Sequence, residues 1–182
     1  MLDYYAYTRI HGFRPLFEQK QAQYAERFPR YPHPTFAEPY RFDSFRALRE
    51  IVSVARSRHL DLTLIIYPYH AWMMDMFRED GLLESFTLWK RALVHSVNQL
   101  DPAVRIFDFS GASTFTLEAV PSTGDRQSHV TWYWEPGHFR PSLGDKIIAR
   151  IYGGKDAGFG EVLSSVGDAT AGTRKEALSP LR

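Results

Sequence analysis

Apolar residues alternate between helical and strand spacing through the middle of the chain, and this alternation constrains the fold more than any other feature. A helical pattern over 45–58 precedes a compact apolar run over 61–67, which ends at Pro68. A second helical pattern over 83–100 precedes another apolar run over 104–109. Near-continuous apolar runs are typical of parallel strands buried on both faces, and helix–strand alternation indicates βαβ units. The sequence therefore predicts an α/β domain with a parallel sheet.

Three regions follow from the composition along the chain. Residues 1–42 are rich in Tyr, Phe, Arg and Pro, with three prolines between 29 and 34. Because proline fixes φ and lacks an amide donor, this region is predicted to be an extended N-terminal segment, with a short helix over 19–28. Residues 43–153 are predicted to be the α/β domain. Residues 154–182 are small and polar and are predicted to be a weakly ordered tail.

Shorter elements fill the α/β region. The sequence predicts a short helix over 72–80, a polar loop over 110–128 and a briefly extended stretch over 130–134. A final helix is predicted over 141–152, where a proline suits the first helical position. Ligands in open parallel sheets bind beyond the carboxyl ends of the strands, so chemistry is expected in the segments that follow the two strands.

Charge and composition exclude several classes of function. The formal net charge is +1 and the basic residues are scattered, which gives no electrostatic case for nucleic-acid binding. The chain has no cysteine, which excludes disulfides and thiolate chemistry. No run of roughly 18 apolar residues is present to span a membrane. The first residues lack the basic and apolar regions of a signal peptide, so the chain as written is expected to stay in the cytoplasm.

A glutamate and a histidine stand three positions apart in the loop after the second strand. A carboxylate at this spacing can place an oxygen near Nδ1 of the ring, which stabilises the imidazolium and leaves Nε2 free as a general base. Pro136 and Gly137 between them favour a rigid turn. Glu135 and His138 are therefore the candidate catalytic pair. Spacing alone favours the alternative that Glu135 is a solvated loop residue and that His138 caps or abuts the following helix.

Nearby histidines and aromatic residues leave further alternatives open. Zinc takes His and carboxylate ligands, and His70 and His129 stand in the neighbouring segments. Their spacings match no short ligand pattern, so no metal is expected. Without a metal, His70 is a loop histidine lining a cleft wall and His129 is an exposed loop residue. The aromatic residues at 132–134 could stack on a sugar ring, or pack on the core and the cleft rim.

The residues around the pair carry a more specific resemblance. The run from Trp134 to Asp145 contains Glu-Pro-Gly-His-Phe-Arg-Pro and Gly-Asp and leads into an Ile-rich helix. It resembles the last conserved block of a group of SGNH (GDSL-like) proteins, in which Asp-x-x-His precedes an aromatic residue, Arg-Pro and a helix with Gly-Asp. Residues 64–71 look like the penultimate strand and loop of that group, and 106–110 look like its last strand. The resemblance covers roughly residues 1–165.

The resemblance implies a flavodoxin-like, three-layer α/β/α fold and the chemistry of a serine esterase or O-acyltransferase that acts on acyl esters of carbohydrate. His138 would be the base and Glu135 its orienting partner. Four residues are expected to contact substrate: Tyr69, His70, Trp134 and Arg140. No cofactor is implied. Members of this group are mostly uncharacterised bacterial proteins whose relatives modify the acyl groups of cell-surface polysaccharides, so an intact member is expected in the cell envelope or periplasm.

Two departures from the family pattern narrow this expectation. Glu135 stands where the family has Asp, although glutamate is the third member in some serine hydrolases. The nucleophile motif Gly-Asp-Ser or Gly-Ser-Ser does not occur. Ser44 follows an aspartate but lacks the glycine and the preceding apolar strand, and it is predicted to be a helix cap.

The missing nucleophile motif predicts that the chain is the C-terminal half of an SGNH-like domain. Its N-terminal strands would be absent, and an incomplete sheet would expose an edge that favours self-association. The alternative is a non-catalytic fragment or pseudoenzyme with a binding or structural role. The sequence leaves open whether this chain alone is an enzyme, because a histidine without its nucleophile has nothing to activate.

Overall fold

Six helices and five short strands form the part of the chain that the computed structural model describes, which is residues 3–28, 44–153 and 159–164. In chain order these elements are α1 (Tyr4–His11), α2 (Phe13–Ala25), α3 (Ser44–Ser57), β1 (Thr63–Ile66), α4 (Ala71–Glu79), α5 (Leu83–Leu100), β2 (Arg105–Asp108), β3 (Tyr133–Glu135), β4 (His138–Phe139), α6 (Pro141–Ile151) and β5 (Glu161–Val162). The mixed α/β class predicted from the sequence is confirmed.

The chain divides into two compact units, each assembled from separate stretches of sequence. The described residues of the first unit fall within Met1–Pro32, Pro68–Asp80 and Ala112–Phe159. Those of the second unit fall within His33–Tyr67, Gly81–Gly111 and Gly160–Arg182. All the candidate site residues named above belong to the first unit, whereas the parallel strands belong to the second.

The second unit contains the parallel pair that the sequence predicts. β1 and β2 pair in parallel, with Thr63 opposite Arg105 and Ile66 opposite Asp108. β5 adds to the other side of β2 in antiparallel orientation. Residues 159–164 belong to the region predicted as a weakly ordered tail, and the pairing of β5 corrects that prediction for them; the rest of the tail lies outside the described residues.

A single apolar core holds the second unit together. Helical spacing places Phe45 and Val52 on one face of α3, and both are buried. This face packs with α5, which contributes Ala92 and Val97, and with Ile106 of β2. Burial of each large aliphatic side chain stabilises the fold by about 1.5–3 kcal/mol. Phe45 and Val52, which the helical periodicity places on one face, are among the residues that this core buries.

The first unit begins with two helices where an extended segment is predicted from the sequence. The Asp3 carboxylate caps α1 by accepting hydrogen bonds from the backbone N–H groups of Tyr5 and Ala6 at 3.0 and 3.2 Å. Pro15 lies in the first turn of α2, where a backbone N–H has no partner within the helix, so the proline costs no helical hydrogen bond. The prediction of an extended chain is therefore wrong for residues 4–18, whereas the helix predicted over 19–28 overlaps the end of α2. The proline-rich stretch at 29–34 lies outside the described residues.

The remaining elements of the first unit place the candidate site. α2 buries Phe13, Leu16 and Phe17 and packs against β3. β3 and β4 form a two-stranded antiparallel hairpin, so His138 lies in a short strand rather than in a loop. α6 begins at Pro141, as predicted.

Candidate functional site

The hairpin between β3 and β4 positions the glutamate and the histidine. Pro136 and Gly137 form the turn, and Glu135 pairs with His138 across the two strands. A Cβ atom at Gly137 would lie 2.4 Å from Oη of Tyr24 and 3.3 Å from Cε of Met73. A side chain at this position would require Tyr24 to move, so the turn packs closely against α2 and α4.

Glu135 and His138 form the contact that their spacing predicts. Nδ1 of His138 donates to Oε1 of Glu135, and the backbone N–H of Gly137 donates to Oε2 at 2.9 Å. Glu135 is 0% exposed, whereas the His138 side chain is 56% exposed. The alternative of a solvated Glu135 is therefore wrong. Among the described residues no hydrogen bond to Nε2 of His138 is found, so this nitrogen is available to an incoming group.

The phenol groups of Tyr4 and Tyr24 lie near enough to the buried carboxylate to be affected by its charge. Burial raises the pKa of Tyr4, and the negative charge of Glu135 raises it further. Burial also raises the pKa of Tyr24 well above its ordinary value, again with a contribution from Glu135. The ring of Tyr4 lies 6.2 Å from that of His138, centroid to centroid. Both phenols stay protonated at neutral pH and can donate hydrogen bonds beside the pair.

His70 does not occupy the position expected of a substrate-contacting residue. Its side chain is 1% exposed, and both ring nitrogens are engaged. Nδ1 accepts a hydrogen bond from the backbone N–H of Trp72 at 3.1 Å and so caps α4. Nε2 donates to the carbonyl oxygen of Glu118 at 2.8 Å. Burial lowers the pKa of His70 to about 4, and its enclosed ring has a structural role as the cap of α4.

The other predicted substrate residues differ in how much surface they offer. Trp134 is 7% exposed and is enclosed by the rings of Tyr4, Tyr5 and Phe13, so it packs in the core rather than standing free to stack on a sugar. The guanidinium group of Arg140 lies 4.5 Å above the Trp134 ring and donates to the carbonyl oxygen of Val130.

Tyr69 is half-buried. Its ring meets Phe77 edge-on at 5.8 Å, and burial raises its pKa. The negative charge that a deprotonated Tyr69 would carry also contributes to the raised pKa of Tyr24. Tyr69 therefore lies near Tyr24, beside the same site.

The described residues support neither a zinc site nor Ser44 as a nucleophile. No group of three or more His, Asp or Glu side chains there is placed to hold a metal ion. His129 is exposed, as its alternative reading predicts. Ser44 is the first residue of α3 in the second unit, which agrees with a place at a helix start.

The first unit also contains an open cleft that the sequence does not predict. It has a volume of about 780 Å³ and lies between α1 and the loop that carries Arg126. Trp134 and Arg140 form part of its floor, and Arg9 and Arg126 line its walls. No sequence motif marks these arginines, because they are 117 positions apart (126 minus 9) and only the fold brings them together.

Comparison of the chain with protein-family models, with curated proteins and with solved structures finds no match. Within the described ranges, none of the helices combines the length and the apolar character needed to cross a bilayer. The function must therefore be inferred from the geometry of the site.

Proposed function

We propose that this chain supplies the general-base part of an SGNH-like serine esterase or O-acyltransferase that acts on acyl esters of a carbohydrate. The observation that carries the proposal is the pairing of a fully buried Glu135 carboxylate with Nδ1 of a His138 whose ring is exposed. This is the arrangement that a general base needs, because one nitrogen is held and the other is accessible.

In the proposed reaction, Nε2 of His138 removes the proton from a serine hydroxyl as its oxygen attacks the ester carbonyl. Glu135 holds the ring in one tautomer and stabilises the positive charge that develops on it. The protonated histidine then gives its proton to the departing sugar oxygen, and an acyl-serine remains. Water in a hydrolase, or a second sugar hydroxyl in a transferase, releases the acyl group by the same steps.

The nucleophilic serine and the first strands of the domain are proposed to come from polypeptide outside the printed sequence. Among the described residues, β1 pairs on one side only, with β2, and Ile65 of β1 is 43% exposed. A free edge on a parallel strand is where further strands of a flavodoxin-like, three-layer domain would add. This edge supports a complete domain that is larger than the chain.

The second candidate function is a non-catalytic domain with a binding or structural role. The observation that favours it is the absence of a Gly-Asp-Ser or Gly-Ser-Ser motif from the sequence. A histidine with nothing to activate would give negligible acyl transfer.

The test uses the protein together with any polypeptide encoded in frame upstream of Met1, assayed for release of p-nitrophenol from p-nitrophenyl acetate. His138→Asn is expected to lower kcat by about 10³–10⁴-fold, and Glu135→Gln by about 10²–10⁴-fold, because each change removes the base or misorients it. His59→Asn, at an exposed position in the second unit, is the matched control and should leave kcat unchanged.

Turnover that survives His138→Asn would refute the catalytic assignment. A fluorophosphonate probe gives an independent reading, since it labels an activated serine covalently. If the extended protein shows neither labelling nor turnover, the non-catalytic alternative is correct.

A further inference from the structure

The cleft of the first unit has two walls of different origin. α1 presents Tyr5 and Arg9, which are four residues apart and therefore share one face of the helix. The loop before β3 contributes Arg126 and His129 to the lining. The volume of about 780 Å³ is large enough for more than one sugar ring.

The two walls are held together by a close backbone contact. Gly12, between α1 and α2, has φ +81°, and a Cβ atom there would lie 2.8 Å from the carbonyl oxygen of Asp125. Only glycine allows both this backbone conformation and this approach. The Asp125 carboxylate in turn accepts the backbone N–H groups of Gln127 and Ser128, both at 2.9 Å, which fixes the loop that carries Arg126.

Positive charge predominates in the cleft. Its lining includes three arginines, Arg9, Arg126 and Arg140, against the single carboxylate of Asp3. That carboxylate is engaged in capping α1. Within the described ranges, Arg9 and Arg126 are exposed and neither forms an ion pair. Arginine is suited to bind a carboxylate through two parallel hydrogen bonds.

An apolar surface adjoins these cations. Tyr5 is 65% exposed, and its ring meets the Trp134 ring edge-on at 4.5 Å. Phe13 lies parallel to Trp134 at 6.3 Å between ring centroids and also lines the cleft. Because Phe13 and Trp134 are buried, Tyr5 offers the exposed aromatic face of the cleft. A ligand that combines a flat C–H face with a negative group matches this ring and the neighbouring guanidinium groups.

We propose that the cleft binds a carboxylate-bearing sugar, such as a uronate residue, of the carbohydrate on which the protein acts. Arg9 and Arg126 bind the sugar carboxylate, Tyr5 contacts the ring, and Arg140 is held by the Val130 carbonyl to complete the cationic floor. This inference rests on the proposed function and names its substrate class.

The cleft lies close enough to the catalytic pair to serve the same substrate. The Tyr4 ring is stacked 5.9 Å from that of Trp134 in the cleft floor and lies 6.2 Å from that of His138. One aromatic ring therefore separates the two places. A bound oligosaccharide would anchor one residue in the cleft and present the acyl ester of a neighbouring residue to His138, and remote contacts of this kind position the reacting group.

The test is a calorimetric titration of the chain with trigalacturonate and with its methyl ester, which keeps the rings and removes the negative charges. Trigalacturonate should bind and the methyl ester should bind at least about tenfold more weakly, as expected for loss of charged hydrogen bonds. Arg9→Gln with Arg126→Gln should weaken trigalacturonate binding by about tenfold or more for the same reason. Arg49→Gln with Arg58→Gln, two exposed positions in the second unit, is the control of equal charge and should bind as the unchanged chain does.

Equal affinity for the acid and its methyl ester, or no binding of trigalacturonate, would overturn the proposal. Inorganic phosphate provides a further arm: if it binds as tightly as trigalacturonate, the cleft is a general anion site and the sugar assignment is wrong. Repeating the titration with His138→Asn separates the two proposals. If trigalacturonate binds but the whole protein shows no turnover, the cleft proposal stands and the catalytic proposal is rejected. If the whole protein shows turnover but does not bind trigalacturonate, the catalytic proposal stands and the cleft proposal is rejected.

Discussion

At the scale of single residues, two histidines of the first unit are used in opposite ways. His70 is enclosed, with one ring nitrogen accepting and the other donating a hydrogen bond to the backbone. His138 has one nitrogen bound to a buried carboxylate and presents the rest of its ring to solvent. A proton added to His70 would remove the acceptor that caps α4, whereas a proton added to His138 meets a negative charge. Of these two histidines, His138 is the one whose ring is accessible from solvent.

The stability of the fold should depend on pH through His70. In the unfolded chain its pKa is near 6.5, and burial lowers it to about 4 in the folded chain. The folded state therefore keeps a neutral ring while the unfolded state takes up a proton. The stabilisation is complete above pH 6.5 and is lost as the pH falls from 6.5 to 4, by about 3 kcal/mol.

Urea denaturation of the chain and of His70→Asn at a series of pH values measures this contribution. Asparagine can still cap α4 through its side-chain oxygen, so the variant should fold. It loses the bond to the Glu118 carbonyl and should be less stable at pH 7, and the difference should shrink as the pH approaches 4. A difference that is constant over this range would show that His70 does not titrate as described.

At the scale of elements, the hairpin that carries Glu135 and His138 depends on its contact with α2. Gly137→Ala would place a Cβ atom against Oη of Tyr24, which a well-packed interior accommodates only by displacement. The expected loss is about 1–3 kcal/mol in the free energy of unfolding. Tyr24→Phe removes the clashing oxygen, so the double variant should recover part of this loss.

A double-mutant cycle on these two positions checks the contact. Coupling of about 0.5 kcal/mol or more in the rescuing direction is expected for residues that touch. Additive effects of the two changes would mean that the turn is not held by Tyr24.

A buried ion pair joins α5 to β2 in the second unit. Nζ of Lys90 lies 3.0 Å from Oδ2 of Asp108, and the other oxygen of Asp108 accepts from the backbone and hydroxyl of Ser110 at 2.8 and 2.6 Å. Lys90→Met removes the cation and leaves a buried carboxylate, which should destabilise the fold by about 3–5 kcal/mol. Thermal melting against Lys20→Met, a partly exposed lysine of α2, provides the comparison. Equal melting temperatures for the two variants would contradict the importance of the pair.

The elements differ in how far sequence could predict them. α3, β1, α5 and β2 are defined by the local periodicity of apolar residues, and each was predicted within a few residues of its observed bounds. β5 was missed because a strand of two residues has no periodicity and exists through its pairing with β2. The sequence predicts the end of α2 but neither α1 nor the start of α2, because the prolines of residues 1–42 indicate an extended segment.

The candidate site shows the same division between local and distant determinants. The Glu135–His138 contact could be predicted because its two residues are three positions apart. The approach of Tyr4 and Tyr24 to the carboxylate could not, because more than a hundred residues separate them from it. The burial of His70 likewise depends on Phe17 and Tyr133, whose rings meet it edge-on at 5.1 and 5.0 Å.

At the scale of the whole molecule, the described part of the second unit presents exposed apolar side chains beside an edge strand. Among the described residues β1 is an edge strand, and its Ile65 is exposed, as are Ile51 and Val54 of α3 and Leu60 after it. A strand edge flanked by exposed aliphatic side chains is a template for pairing with another chain. The proposed upstream strands would occupy this edge, and without them a second copy of the chain can do so.

The chain is therefore expected to self-associate through the edge of β1, and one charged side chain in this strand should prevent the association. Ile65→Lys places a lysine on the exposed edge, a common protection against strand pairing. Sedimentation velocity should show concentration-dependent association of the unchanged chain and a shift towards monomer for Ile65→Lys. Ile10→Lys makes the same substitution at an exposed position on α1 in the first unit and should associate as the unchanged chain does. If both variants associate equally, the edge of β1 is not the contact, and its exposure no longer supports a missing set of strands.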